Sequence, residues 1–476
     1  MLNRMTISLL AIGLLLCSCV SISIDTAYRK AWDRALPEHR IQYLELKPVM
    51  TEDDADSFLQ MTDETQREEW LRKFWKAKDP TPTTERNEFK EEHQRRVAYA
   101  RQYFGSHFRG NRLWDDRGEV YIKYGEPDER VTQVEGVYGV GKEEQEARKQ
   151  EGEVWRYYKY DLTLQFQDNK LLGFYELTPH VEVQSKDVYG ETYEVQDEVD
   201  FKSTVATKID IPREIYHHDY EGDVLDYALD IVRFRNTGDN YEVDVNLGLP
   251  IEQLGKKDAN YVSFVKSIVV FDNNYKEVKR DSSIVNVRVG QAVNSLVIDQ
   301  NRFVLNSGEY KVAVEVRDLV SSRIGIYKKD ILLPGYVHPE QREISQIVMA
   351  TDVRKATQDD SLLMQRNGLV ISPLPSRIYF ADQKIYFYYE IYDLKLDKSG
   401  KAYYIIQADL INTKTRKRTT LYKTNPVECT KSNTYEIDEI DALELKPGDY
   451  ILTIKVKDVL ADKEKNTVTA FRVMKD

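Results

Sequence analysis

Cysteine is nearly absent from this chain. Three occur in 476 residues, and two of them, Cys17 and Cys19, fall in the first nineteen. The third, Cys429, stands alone in Pro426-Val427-Glu428-Cys429-Thr430-Lys431-Ser432 between apparent strands. A lone thiol forms no intramolecular disulfide, so the fold must be held by other means. A catalytic thiol needs a partnered base, and Cys429 reads as inert. No apolar run beyond Leu16 approaches the roughly 20 residues that a membrane-spanning helix requires. His-Glu-x-x-His, Gly-x-Ser-x-Gly and any Cys/His cluster are missing too, so neither a metal, a cofactor nor a catalytic residue is expected. Positive charge is short: 68 Lys+Arg against 80 Asp+Glu, net −12. Such a chain suits neither nucleic acid, where cations must meet phosphates, nor direct adsorption to anionic lipid.

What is present begins at the first residues. Met1 to Cys19 holds one early arginine (Arg4), an apolar run from Leu9 to Leu16, then Ser18 before Cys19. A short basic region, an apolar core and a small-residue cleavage site make a secretory signal peptide. Leu16-Cys17-Ser18-Cys19 resembles the lipobox of bacterial lipoproteins, in which the cysteine becomes the lipidated N-terminus. Cys17 would put bulky Leu16 where that pattern takes a small residue, so Cys19 is the expected acceptor. Residues 1–18 would be removed, which takes away Arg4 alone and leaves net −13. Acyl methylenes, each contributing about 0.8 kcal/mol, then supply the attachment that the acidic chain does not. Val20-Ser21 carries no aspartate retention signal and no acidic run follows. By analogy this places a lipid-anchored protein at the outer membrane, facing the periplasm.

From about Ala27 to Phe104 the pattern is helical. Leu71, Phe74 and Trp75 share one face, and Asp79-Pro80-Thr81-Pro82 ends that helix. Thr84 and Glu85 suit the start of the next one. On it Phe89, His93, Val97, Ala100 and Phe104 form one apolar stripe, with Glu91–Arg95 and Glu92–Arg96 on the wet side. His93 on that stripe is a packed histidine or a ligand or base. From Gly118 the period becomes two, and Val120, Ile122 and Tyr124 predict a strand turned by Gly125-Glu126-Pro127-Asp128. Further strands are expected at Trp155–Tyr158, Leu162–Phe166 and Leu172–Leu177. Together they make an α+β domain, helices first and a small antiparallel sheet after, over 19–205.

The remainder reads as strand after strand, and it repeats. Leu305-Asn306-Ser307-Gly308-Glu309-Tyr310, then Val312, Val314, Val316 and Asp318, matches Leu445-Lys446-Pro447-Gly448-Asp449-Tyr450, then Leu452, Ile454, Val456 and Asp458. The offset is 140 throughout. Two copies of a unit this size predict tandem immunoglobulin-like β-sandwiches, 206–336 and 337–476, with joints near Val205 and Val337.

The run from Phe74 through Asp79-Pro80-Thr81-Pro82 and Arg95-Arg96-Val97-Ala98-Tyr99-Ala100 to Phe104, followed by Asp116-Arg117-Gly118 and Val120 to Glu129, resembles the GWxTD domain family of bacterial envelope proteins. Where the name-giving motif would stand, this chain has Arg112-Leu113-Trp114-Asp115-Asp116. The tryptophan falls one place late and Asp115 replaces the threonine. The resemblance implies an envelope module without an established reaction.

Several constellations compete for a function. Gly136-Val137-Tyr138-Gly139-Val140-Gly141-Lys142 matches a phosphate-loop spacing, but Glu143 stands where Ser or Thr would hold Mg²⁺, so a flexible loop is expected. His217-His218-Asp219 points successive side chains to opposite faces and is a poor metal site. Asp79, Asn87, Glu88, Arg96, Asp116 and Arg117 form the best candidate cluster: a buried polar network, a ligand groove or a catalytic site. Tyr386, Tyr388 and Tyr392 share one strand face, to stack on sugars or proteins or to pack against a neighbouring domain. The resulting expectation is a lipid-anchored, non-catalytic interaction or assembly scaffold whose partners are envelope proteins or glycans. The alternatives are a glycan- or peptide-binding protein, or a hydrolase using Asp79, Glu88, Arg96 and Asp116.

Overall fold

The computed structural model describes residues 29–105, 112–136, 149–158, 162–168, 173–178, 185–186, 192–193, 223–258, 261–291, 295–335, 344–358 and 365–475. A helical N-terminal region leads and mostly antiparallel sheets follow. The chain divides into two units, one within 1–80 and 86–218, the other made of 219–476 and the short segment 81–85.

In the first unit, helices α1 (Pro37–Leu46), α2 (Glu52–Gln60), α3 (Glu64–Lys78), α4 (Glu88–Tyr103) and α5 (Asp116–Tyr124) precede strands β1 (Glu129–Gly136), β2 (Lys149–Tyr157), β3 (Leu162–Asp168) and β4 (Glu176–Leu177). Side-chain caps start most of the helices. Thr51 and Asp54 close a capping box on α2, Asp63 caps α3, Asn87 caps α4 and Asp115 caps α5. Asn87 takes the place expected of Thr84, because Thr84 is spent in a turn with its N–H on the Thr81 carbonyl at 2.9 Å. The four strands pair in sequence order. Aromatic residues dominate two cores: Tyr43, Phe58 and Phe74 among the first helices, and Phe104, Trp114, Tyr121, Trp155 and Phe166 between α4, α5 and the sheet.

The segment expected to be the first strand is helix α5. Arg117, Gly118, Val120, Tyr121, Ile122 and Tyr124 are all buried, so the helix is apolar on most of its surface. A short run buried nearly all round shows no period that separates helix from strand. The half-buried polar residues Asp116, Glu119 and Lys123 do carry the helical spacing, three and four apart.

The second unit contains two similar halves. The first has β5 (Ala228–Arg235), β6 (Asn240–Pro250), β7 (Tyr261–Asp272), β8 (Glu277–Arg288), β9 (Leu296–Asn306), β10 (Gly308–Asp318) and β11 (Ile324–Leu333). They form two sheets, β9-β6-β5 and β8-β7-β10-β11, over one core that includes Val245, Leu247, Phe264 and Val314. The second half has β12 (Val348–Lys355), β13 (Leu369–Pro373), β14 (Lys384–Ile391), β15 (Ala402–Asn412), β16 (Arg418–Lys423), β17 (Thr434–Asp441), β18 (Gly448–Asp458) and β19 (Lys463–Met474). Its sheets run β13-β12-β14-β17 and β16-β15-β18-β19, extended by the short strands Gln365–Arg366 on β13, Ile378–Phe380 on β19 and Val427–Cys429 on β15, over a separate core that includes Phe387, Tyr389, Leu452 and Ile454.

The 140-residue repeat persists in the pairing register. Asp272 faces Tyr310 as Asn412 faces Tyr450, and Phe264 faces Asp318 as Tyr404 faces Asp458. Gly308 faces Leu333 as Gly448 faces Val473. The two glycines have φ of 152° and 153°, a backbone region that penalises any side chain. Tyr310 donates its hydroxyl to the Asn306 carbonyl (3.1 Å) and Tyr450 to the Lys446 carbonyl (2.6 Å), the same four-residue reach back. At the far ends, buried Asp318 and Asp458 accept backbone N–H groups of the turns that follow.

Candidate functional site

The six polar residues expected to converge occupy three separate places. At the corner between α3 and α4, buried Asp79 ends α3 and pairs with Lys76 at 2.8 Å. Asn87 caps α4 through the Lys90 N–H and donates its amide to the Trp75 carbonyl at 2.7 Å, tying the two helices together. Glu88 begins α4, where its charge suits the helix dipole. A second place is the far end of α5. Arg96 pairs with Glu92 at 2.6 Å and donates to the carbonyls of Ile122 and Lys123 at 3.2 and 3.3 Å. A cation on those last carbonyls satisfies groups the helix cannot.

The third place, the start of α5, is the densest. Asp115 accepts the Arg117 N–H at 3.0 Å and the Tyr175 N–H at 3.2 Å. The Arg117 guanidinium donates to Asp115 at 2.7 Å and to Glu153 at 2.8 Å, and lies 3.6 Å over the Tyr175 ring. Glu153 also accepts two bonds from Arg130 at 2.8 Å and one from the Trp155 indole at 2.9 Å. Asp116 reaches outward, to Arg112 at 2.7 Å and to the Leu177 N–H at 2.8 Å, and so fixes α5 to β4. Asp115, Glu153 and Arg117 are buried. Burial pushes the Asp115 carboxyl up despite the hydrogen bonds and charge of Arg117. Burial acts on Glu153 as well, but bonds from Arg130 and Trp155 and the charges of both arginines outweigh it and hold that group below the usual carboxylate range. Gly118 makes room here, since a Cβ on it would sit 2.4 Å from the Trp114 ring. Asp115, Arg130 and Glu153 were not among the expected residues. Asp115 stood in the sequence only as the residue replacing the motif threonine, because the segment after it was read as a strand, whereas Glu153 and Arg130 depend on the β1–β2 pairing.

The tyrosine stripe lies in the second unit and is not a surface. Tyr388 is 0 % exposed and Tyr392 4 %, and Tyr386 packs half-buried beside them. They lie where the two halves meet. Val232 and Phe234 of β5 pack there on Val348, Ala350, Ile371 and Tyr388. Tyr388 and Tyr392 each donate to Glu390 at 2.7 Å, and the Arg235 N–H donates to the Tyr392 hydroxyl at 3.0 Å. Burial pushes both hydroxyls up, with the Glu390 charge adding to it. Arg366 stacks 3.7 Å over Phe234 and faces Glu242 at 3.0 Å, Asp244 at 3.3 Å and Glu390 at 3.5 Å. Arg302 holds Asp244 from the other side at 2.6 Å, and Arg377 joins Asp230 at 2.6 Å. These groups bridge the halves, and no local pattern in the chain singles them out.

His93 is buried, with its ring 5.2 Å from Trp75 and its Nδ1 lacking a hydrogen-bond partner. Burial and then the Arg96 and Lys78 charges push it down to about 4, so it is neutral at pH 7. Cys429 is half-exposed and donates its thiol to the Lys431 carbonyl at 3.2 Å, and burial pushes that thiol up, against thiolate formation. Residues 1–28 with Cys17 and Cys19, 137–148 of the glycine-rich loop, His217-His218-Asp219, and the expected joints at Val205 and Val337 lie outside the described residues. Among the described residues no group of three or more His, Cys, Asp or Glu is placed to hold a metal ion. No described helix is long and apolar enough to cross a membrane. No protein-family model matches the chain, and no curated protein matches it either.

Proposed function

We propose that this chain is a lipid-anchored envelope lipoprotein related to the GWxTD domain family, acting as a non-catalytic interaction or assembly scaffold. Cys19 carries the lipid, and the site of action is the periplasmic face of the outer membrane. Each half of the second unit is an immunoglobulin-like sandwich. In the first half, with its strands numbered from one, the three-strand order 5-2-1 opposed to 4-3-6-7 supports that reading, and the second half supports it through the shared 140-residue register.

The observation that carries the scaffold reading is the braced contact between the two halves. A core of Val232, Phe234, Val348 and Tyr388, ringed by Arg366, Asp244, Glu242 and Glu390, gives two modules one fixed orientation. A scaffold needs fixed geometry between the surfaces it presents. The hydrolase alternative lacks comparable support, because Asp79, Arg96 and Asp116 each fasten a different part of the first unit. The glycan-binding alternative loses its aromatic patch to burial of Tyr388 and Tyr392.

Cys19→Ser tests the anchor. The variant should leave the membrane fraction and take up no radiolabelled palmitate, and retention of both properties defeats the assignment. A pull-down from detergent-solubilised envelope with the tagged protein tests the scaffold. Envelope proteins should co-purify with the intact chain and be lost when Arg366→Met loosens the brace. Turnover of an envelope polymer by the purified chain would replace this reading with the hydrolase.

A further inference from the structure

Beside the first helices of unit one is a cavity of about 650 Å³, within the size range of ligand sites. Its walls hold Lys30, Arg34, His39 and Arg67, together with Leu36 and Leu59 among the apolar residues, and no carboxylate. In a chain with 80 Asp+Glu against 68 Lys+Arg, that is a local inversion of charge.

The cations are poorly compensated. Lys30 and Arg34 are exposed and have no ion-pair partner among the described residues. Arg67 is 2 % exposed. Two of its nitrogens donate to the Phe58 carbonyl (3.4 Å) and the Met61 carbonyl, and Nε has no hydrogen-bond partner. Its nearest carboxylate is Glu64, 3.9 Å from Nε, which is largely exposed and shared with His39 at 2.9 Å. A buried guanidinium with one distant, solvated counter-charge leaves a net positive field at the cavity floor. Lys30 and Arg34 add to it at the rim, while Leu36, Leu59 and Met61 offer apolar wall to a hydrocarbon segment.

We propose that this cavity binds an anionic amphiphile, with a phosphate or carboxylate head against Lys30, Arg34 and Arg67 and a short apolar segment along Leu36 and Leu59. The head can come from a membrane lipid or from a soluble phosphorylated metabolite. The proposal does not depend on the lipid anchor or on the scaffold reading.

Isothermal titration of the purified full chain with monomeric dodecyl phosphate, and separately with inorganic phosphate, provides the test. Dodecyl phosphate should bind, and inorganic phosphate at least tenfold more weakly. Lys30→Glu/Arg34→Glu should lose at least tenfold in affinity for dodecyl phosphate, with an unchanged melting temperature because both side chains are exposed. Lys414→Glu, an equal kind of charge change on an exposed loop of the other unit, should bind like the parent. Co-sedimentation with phosphatidylglycerol vesicles separates the sources. Vesicle binding lost in the double variant assigns a lipid head, and dodecyl phosphate binding without that loss assigns a soluble one. Absence of dodecyl phosphate binding, equal affinity for inorganic phosphate, equal binding by the double variant, or an equal loss in Lys414→Glu overturns the proposal.

Discussion

Arg117 in the first unit and Arg366 in the second are built alike and do different things. Each has a side chain only 8 % exposed, stacks on an aromatic ring at 3.6 or 3.7 Å, and faces more than one carboxylate. Arg117 works inside one core, holding the start of a helix to a sheet. Arg366 works between two cores that are each already complete. Burying an arginine is costly in either place, and only carboxylates held in fixed positions offset it. Within one core the effect is stability, and between two cores it is orientation.

The largest expected effect breaks the first of these. Arg117→Met strands Asp115 in a low-dielectric core, leaves Glu153 with Arg130 as its one cation, and should destabilise the first unit by about 3–5 kcal/mol. All five tryptophans (Trp32, Trp70, Trp75, Trp114 and Trp155) lie in the first unit, so tryptophan fluorescence during denaturant unfolding reports it alone. An unchanged midpoint would mean that Arg117 does not hold that core. Arg366→Met should act elsewhere. Tryptophan unfolding should stay put, while calorimetry of the second unit splits one transition into two as the halves uncouple. A single unshifted transition would show that the apolar contact alone sets the joint.

Acid sharpens the comparison further. The fold buries His93 as a neutral ring with its pKa pushed down from 6.5 to about 4. Between those values the unfolded chain binds a proton that the folded chain does not. The stability is full above pH 6.5 and drains away toward pH 4, by about 3 kcal/mol. His93→Leu should flatten the pH dependence of the tryptophan midpoint in that window, and a parallel slope in the variant would refute the assignment. In the second unit Glu436 and Asp438 point inward beside Tyr404 and Tyr422, and burial pushes both carboxyls up. A raised folded pKa has the opposite sign. Their contribution grows as pH falls through the raised value, so Glu436→Gln should remove part of an acid stabilisation seen by calorimetry.

The smallest effects compare the two halves with one another. Tyr310→Phe and Tyr450→Phe each lose one hydroxyl bond to a carbonyl four residues back, about 1 kcal/mol apiece. Similar values by denaturant unfolding would show the repeat to be energetic as well as geometric, and a cost in only one half would limit it to geometry.

The repeat was legible because both copies keep glycine, tyrosine and aspartate at the same three points of one strand. The helical span from Ala27 to Phe104 was legible as a whole, α3 and α4 from their apolar stripes and from the Asp79-Pro80-Thr81-Pro82 break between them. Helix α5 was not, because its apolar residues are buried on most sides and only Asp116, Glu119 and Lys123 keep the helical spacing. The candidate cluster was legible as residue types only. Arg117 and Asp116 were singled out, but Glu153 joins them across a strand pairing, and Arg366 reaches Asp244 over 122 residues. Tyr388 and Tyr392 show the same limit. Their alternation marked a strand face that either met solvent or packed against a neighbouring domain, and only the tertiary structure shows Val232 and Phe234 covering it.

By itself the sequence determined that helices come first and strands after, the duplication of the β unit, and the acidic surface with almost no cysteine. These follow from periodicity, turn residues and composition, which act over a few residues. The tertiary structure alone decided which carboxylates face which arginines, that the tyrosine face is an internal joint, and that an acidic chain holds a cavity walled by Lys30, Arg34 and Arg67. Those outcomes depend on groups far apart in the chain being brought within a few ångströms of each other, and no local pattern encodes that distance.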